Sequence, residues 1–170
     1  MLVGRIREAA ILEQMLGSGR SEFVAVYGRR RVGKTFLIRN VFEGRFTFRI
    51  TGLANASLPA QLLNFNMAFR EQWRGKHPGT ARNWMEAFHL IRSLVSRSKQ
   101  KKKIIFIDEL PWFDTTHSGF VTALEHFWNS WASGRRSGVA CFRPAPLRSG
   151  IYRSWGSWIA QCLPSTECSS

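Results

Sequence analysis

The chain has 170 residues, enough for one domain of ordinary size with a real core, and its hydrophobic share of 44% is that of a globular protein. No apolar run reaches the roughly 18 residues of a membrane-spanning helix, and the charged, amphipathic MLVGRIREAAILEQML at the start is not a signal peptide, so no membrane partner and a cytoplasmic location are expected. Lys and Arg number 25 against 11 acidic residues, and a net charge of +14 makes a field that attracts nucleic acid without specifying sequence.

In chain order, EFVAVY (22–27) is an apolar, β-branched and aromatic run that reads as a buried strand. It runs into GRRRVGKT (28–35), a complete G-x-x-x-x-G-K-[ST] loop, and KTFLIRNVF (34–42) then follows a helical pattern. Strand, glycine loop and helix are the context in which backbone N–H groups and a helix N-terminus hold a polyphosphate. Gly28 and Gly33 permit the backbone angles and the close approach that a Cβ would obstruct. Lys34 can reach the β- and γ-phosphates, and the Thr35 hydroxyl can ligate Mg²⁺. Val32 and Phe36 complete the nucleotide-contacting stretch, in which Arg29, Arg30 and Arg31 either serve the nucleotide or face solvent.

RFTFRIT (45–51) reads as a second strand. Residues 57–75 form a helix with Ser57 as N-cap, Pro59 in its first turn and an apolar stripe of Leu62, Phe65, Phe69 and Trp73. Residues 79–83 break it, and Trp84, Phe88, Ile91 and Val95 mark the next helix. KQKKK (99–103) is a solvated turn leading into IIFIDE (104–109). Ile104 to Ile107 suit a central parallel strand covered on both faces. Asp108 then falls at its carboxyl end, where open α/β sheets place ligands, and can hold the Mg²⁺ hydration shell. Glu109 can orient and deprotonate an attacking water, which points to a magnesium-dependent ATPase and away from a small-molecule kinase. LPWFDTTHSG continues as a loop at that edge, with His117 as a plain loop histidine, and Phe120, Leu124, Phe127, Trp128 and Trp131 mark a third helix. The aromatic stripes read as core and not as base-stacking platforms.

These residues carry a resemblance. From residue 1 to about 136 the chain resembles an archaeal-type P-loop ATPase, AAA-like and related to the STAND NTPases, in GRRRVGKT, in the helix start ARNWMEAF (81–88) and in FIDELPWF (106–113). LVGR (2–5) is similar to the short box that lies near the adenine in this family, which adds Gly4 and Arg5 to the nucleotide site. The resemblance implies an α/β P-loop NTPase of the ASCE, AAA-like kind, a three-layer sandwich whose parallel sheet has an extra strand between the two motif strands. It implies MgATP as substrate, Lys34 and Glu109 as catalytic residues, and Thr35 and Asp108 on the Mg²⁺. DNA, a protein partner and an oligomer all remain open.

The resemblance stops after Arg136, where the family pattern supplies another apolar strand ending in a sensor residue and then a helical lid. GVACF (138–142) begins like a strand but meets RPAPLRSG, and residues 137–170 are rich in Ser, Gly and Pro with no Lys or Asp. The division expected is an ATPase core at 1–136 and an atypical tail at 137–170, read as a linker, a disordered tail or translation out of the ancestral reading frame. The last reading is favoured because the break falls inside the sheet; a family-like continuation in another frame of the coding DNA is its test. A sheet lacking that strand would expose an edge, leave the sensor and lid missing, and bind nucleotide where turnover fails. The alternative is a basic nucleic-acid-binding protein with a vestigial nucleotide site. Cys141, Cys162 and Cys168 lack zinc-ligand spacing, and the four histidines form no motif.

Overall fold

The structure is a computed structural model that describes residues 5–26, 33–76, 78–134 and 138–142, the last of these through its backbone. Four strands, β1 (Glu22–Ala25), β2 (Phe46–Thr51), β3 (Lys103–Asp108) and β4 (Gly138–Phe142), form one sheet in the order β1-β4-β3-β2. Every neighbouring pair is parallel. Side chains alternate across a strand, and the two faces separate cleanly. Ile105 and Ile107 of β3 join Phe23, Phe48 and Ile50 in one core, while Ile104 and Phe106 join Val24 and Val26 in the other. Phe46 and Phe48 share parity yet serve opposite faces, because the β2–β3 register shifts between them.

Helices α1 (Ile6–Gly17) and α2 (Lys34–Val41) cover the face of Ile104, through Leu12, Met15, Leu37, Ile38 and Val41. The other face is covered by α3 (Leu58–Gln72), α4 (Trp84–Arg97) and α5 (Phe120–Phe127). The result is a three-layer α/β/α sandwich. Its larger core is aromatic: Trp84 meets Phe113 and Phe120 edge-on at 5.3 and 4.9 Å, and those two rings stack at 4.9 Å. The aromatic stripes of α3, α4 and α5 are therefore core, except that Trp73 and Trp131 are partly buried at its margin.

Helix ends follow local chemistry. The Asn83 carboxamide accepts the Glu86 N–H at 2.9 Å, and Glu86 reaches back to the Arg82 N–H at 2.9 Å, a reciprocal cap that starts α4 sharply. Ser57 occupies the N-cap of α3, but its side chain makes no capping bond, and α3 ends at Gln72 and not at 75. The third predicted helix is α5 followed by a π-helical turn, Trp128–Ala132. Within the basic run, Lys102 is not solvated: its ammonium donates to the Ser18 carbonyl at 2.7 Å and the Arg20 carbonyl at 2.8 Å, tying β3 to the segment before β1.

One expectation is corrected. The sheet does not lack a strand after Arg136: Gly138–Phe142 pair with β1 on one side and β3 on the other. This is the extra strand between the two motif strands, and it lies past the point where the sequence resemblance fades. Residues 143–170 lie outside the described residues, so the readings of that tail do too.

Candidate active site

The strands are parallel, so their carboxyl ends share one edge, and the chemistry gathers there. Gly33 precedes α2 in the left-handed region at φ 73°, a conformation that glycine adopts without strain, and its carbonyl accepts the Leu37 N–H at 2.9 Å. Lys34 opens the helix and is only 3% exposed. The Thr35 hydroxyl donates to Asp108 Oδ1 at 3.4 Å across 73 residues of sequence. Asp108, also 3% exposed, ends β3 opposite Thr51 of β2. A second donor holds the same carboxylate oxygen, the Glu109 N–H at 3.1 Å.

Glu109 itself has φ 52°, a left-handed conformation that a residue with a Cβ adopts at a cost of roughly 1–2 kcal/mol. Its neighbours hold it there. Asp108 and Leu110 on either side are buried, and the Trp112 N–H closes a 3-10 turn onto the Glu109 carbonyl at 3.0 Å. Phe113 then anchors the turn in the aromatic core. Strain of this kind concentrates at functional positions, and here it falls on the residue that follows β3 at the sheet edge.

A buried carboxamide braces this turn. Gln61 of α3, 1% exposed, accepts the Leu53 N–H at 3.2 Å and donates to the carbonyls of Leu53 at 2.7 Å and Trp112 at 2.9 Å. It therefore ties the segment after β2 to the turn after β3. Between them Gly52 donates its N–H to the Asp108 carbonyl at 2.9 Å, so close that a Cβ there would lie 2.7 Å from the Glu109 carbonyl. Asn64 adds a bond to the Thr51 carbonyl at 2.9 Å. Sequence reasoning missed Gln61, Gly52 and Asn64. The signal for Gln61 was present: it falls four residues before Phe65 and eight before Phe69, a polar side chain on the apolar stripe.

The remaining predicted site residues divide in two. Arg5 is the N-cap of α1, its carbonyl accepting the Ala9 N–H at 3.1 Å, and α1 packs on α2; Phe36 is 60% exposed on α2. Gly4, Gly28, Arg29, Arg30, Arg31 and Val32 lie outside the described residues. Downstream, burial pushes the Asp114 carboxyl above its ordinary value of 3.8, and His117 sits on a turn at φ 64°. Thr35 and Asp108 offer a hydroxyl and a carboxylate, hard oxygen donors of the kind Mg²⁺ takes. Among the described residues no cluster of three or more His, Cys, Asp or Glu forms a complete metal cage. Such a donor pair fits a Mg²⁺ that keeps several waters and shares its coordination with a phosphate. Also among the described residues, no helix is long and apolar enough to cross a membrane.

Comparison with known proteins agrees with this architecture. No protein-family model matches the chain. In sequence it is 40% identical over 45 residues to the uncharacterized ATP-binding protein MJ0423 of Methanocaldococcus jannaschii, a match covering 26% of this chain and 76% of that protein. In structure it resembles the Walker-type ATPase PABY2304 of Pyrococcus abyssi, with a TM-score of 0.58 at 16% identity over 84% of this chain. The chain spans 45% of that protein's length. Its fold is that of a P-loop NTPase, and the chain belongs to the family of the ATP-binding protein MJ0423.

Proposed function

We propose that the chain binds MgATP at the carboxyl edge of the sheet and hydrolyses it to ADP and phosphate. The observation that carries this reading is the approach of Thr35 to Asp108 at 3.4 Å, with Lys34 beside one and Glu109 beside the other. GRRRVGKT then serves as the Walker A loop and FIDE as Walker B. Backbone N–H groups from Gly28 to Lys34 cradle the phosphates, with the helix N-terminus behind them. Lys34 neutralises the β- and γ-phosphate oxygens, and Thr35 and Asp108 hold the Mg²⁺. When bound, that ion supplies charge neutralisation at the transferring phosphoryl group. Glu109 accepts a proton from a water positioned in line with the γ-phosphate. Gly4 and Arg5, of the LVGR box, serve the adenine in this reading.

The ADP-forming step is tested by Glu109→Gln. An isosteric amide keeps the turn but cannot take the proton, so turnover should fall by about 10²–10⁴-fold while ATP affinity stays within threefold or so of wild type. Equal turnover by the two proteins would contradict the role of Glu109, and absent turnover in both would leave a nucleotide-binding module as the better reading. The AAA-like, STAND-related branch, a core that runs past Arg136 to take in the strand Gly138–Phe142, and a cytoplasmic location belong to the same proposal. They rest on FIDELPWF, on the LVGR box and on composition.

A further inference from the structure

We propose that the edge of the sheet opposite the ATP site binds the phosphodiester backbone of a single-stranded nucleic acid. A cavity of about 650 Å³ opens there, lined by Phe46 and Thr47 at the start of β2, Trp73 and Arg74 after α3, and Arg97 and Lys99 at the end of α4. Phe46 and Thr47 begin β2, Arg97 and Lys99 precede β3, and Trp73 and Arg74 follow α3, whereas Thr35 and Asp108 gather at the carboxyl ends. The length of β3, about 20 Å for six residues, separates the two places.

The groove is built to present cations. Trp73 stacks on the buried Phe69 at 5.4 Å and donates its indole N–H to the Lys76 carbonyl at 2.9 Å, so the ring is backed by core and fixed in orientation. The Arg97 guanidinium lies over that ring, 4.8 Å from its centre. A guanidinium held over an indole keeps N–H groups for a phosphate, and the exposed part of the indole offers a face on which a base can stack. Among the described residues the ion pairs are Arg20–Glu22 and Arg82–Glu86, and Arg74, Arg97 and Lys99 take part in neither. Glu71 is the acidic side chain in the lining. Lys102 contributes nothing, its ammonium being taken up by Ser18 and Arg20. Arg45, Lys76 and Lys101, all exposed, flank the lining segments in sequence and add the same sign.

Cations from two separate segments around one cavity, Arg74 after α3 and Arg97 and Lys99 at the end of α4, suit a ligand with repeated phosphates better than a single anion. The aromatic floor distinguishes a nucleic acid from an acidic polypeptide, and a net charge of +14 steers either toward the chain. This site is independent of the ATP reading, since it shares no residue with it.

The test is fluorescence anisotropy of a labelled oligothymidylate across a salt series, with the full chain. Four proteins are compared: wild type, Arg97→Glu/Lys99→Glu, a charge-matched Arg7→Glu/Arg39→Glu control on the α1/α2 face, and Lys34→Ala. The groove variant should bind about tenfold more weakly or worse, with its salt slope lower by roughly 1.4, the loss of two single-strand phosphate contacts. The control and Lys34→Ala should remain near wild type. Ultraviolet cross-linking of an iodouracil-substituted oligonucleotide to wild type, read by peptide mapping, should mark the segment holding Trp73, which keeps the test valid if the groove variant folds poorly. Three results overturn the proposal: equal weakening of the groove variant and the control, cross-links confined to other segments, or polyglutamate binding tighter than the oligonucleotide. The last would assign the groove to an acidic polypeptide.

Discussion

Gly52 and Gln61 brace the turn that carries Glu109, although neither is a group that reacts. Alanine at Gly52 would place a methyl 2.7 Å from a backbone carbonyl that cannot swing aside as a side chain would. Gly52→Ala should therefore cost about 1–3 kcal/mol in urea unfolding and lower kcat more than it weakens ATP binding. Gln61→Leu would strand the Leu53 N–H and the carbonyls of Leu53 and Trp112 in a buried place. Each unsatisfied group costs about 1–3 kcal/mol, and a loss of stability under 1 kcal/mol or so would show that water replaces the carboxamide. The residues assigned to phosphate, Mg²⁺ and water were legible in the sequence, because the proposed chemistry dictates their types and their places after strands. The residues that brace them were not. A glutamine on an apolar stripe reads as an imperfection until its three partners, from segments 8 and 51 residues away, come together in the fold.

Elements with strong periodicity and caps lay close to their expected bounds, and those set by tertiary contact did not. The α4 cap was the sharpest. Asn83→Ala should cost about 1 kcal/mol in thermal or urea unfolding. Glu86 makes the same cap pH-dependent. The Arg82 backbone N–H, then the Arg82 guanidinium, hold its carboxyl below the ordinary value of 4.5, against a smaller opposing effect of burial. A lowered folded value means the contribution is present above the ordinary value and is lost as pH falls through the folded one. The urea midpoints of wild type and Glu86→Gln should thus converge as pH drops below 4.5; a constant gap down to acid unfolding would show that the charge is irrelevant to the cap. The second strand shows the converse. Alternation alone assigns Phe46 and Phe48 to one face, and only the register shift against β3 sends Phe46 to the other. The π-helical turn after α5 continues the aromatic stripe of Phe127 and Trp131 without announcing itself in the pattern.

The sheet as a unit explains how a compositional break can coexist with a closed motif edge. Five residues suffice for a parallel strand, and Gly138–Phe142 supply them between β1 and β3, so the two motif strands are held in register through their own neighbour. Composition over 137–170 obscured this, because Ser, Gly and Pro beyond the strand outweigh its apolar run. In the two proposals opposite edges of this sheet serve opposite tasks, the phosphates of ATP at the carboxyl ends and a nucleic-acid backbone in the basic groove at the amino ends. Ligand linkage should register in the whole fold: with MgATP at about 100 times its Kd the unfolding free energy should rise by roughly 2.7 kcal/mol. The decisive measurement is titration calorimetry of MgATP into wild type and Lys34→Ala side by side, with the fold of both checked by circular dichroism. Micromolar binding by wild type that is lost in folded Lys34→Ala is the result expected from a phosphate loop paired with Asp108 across the sheet edge. Binding of equal strength by both, or none by a folded wild type, would contradict it.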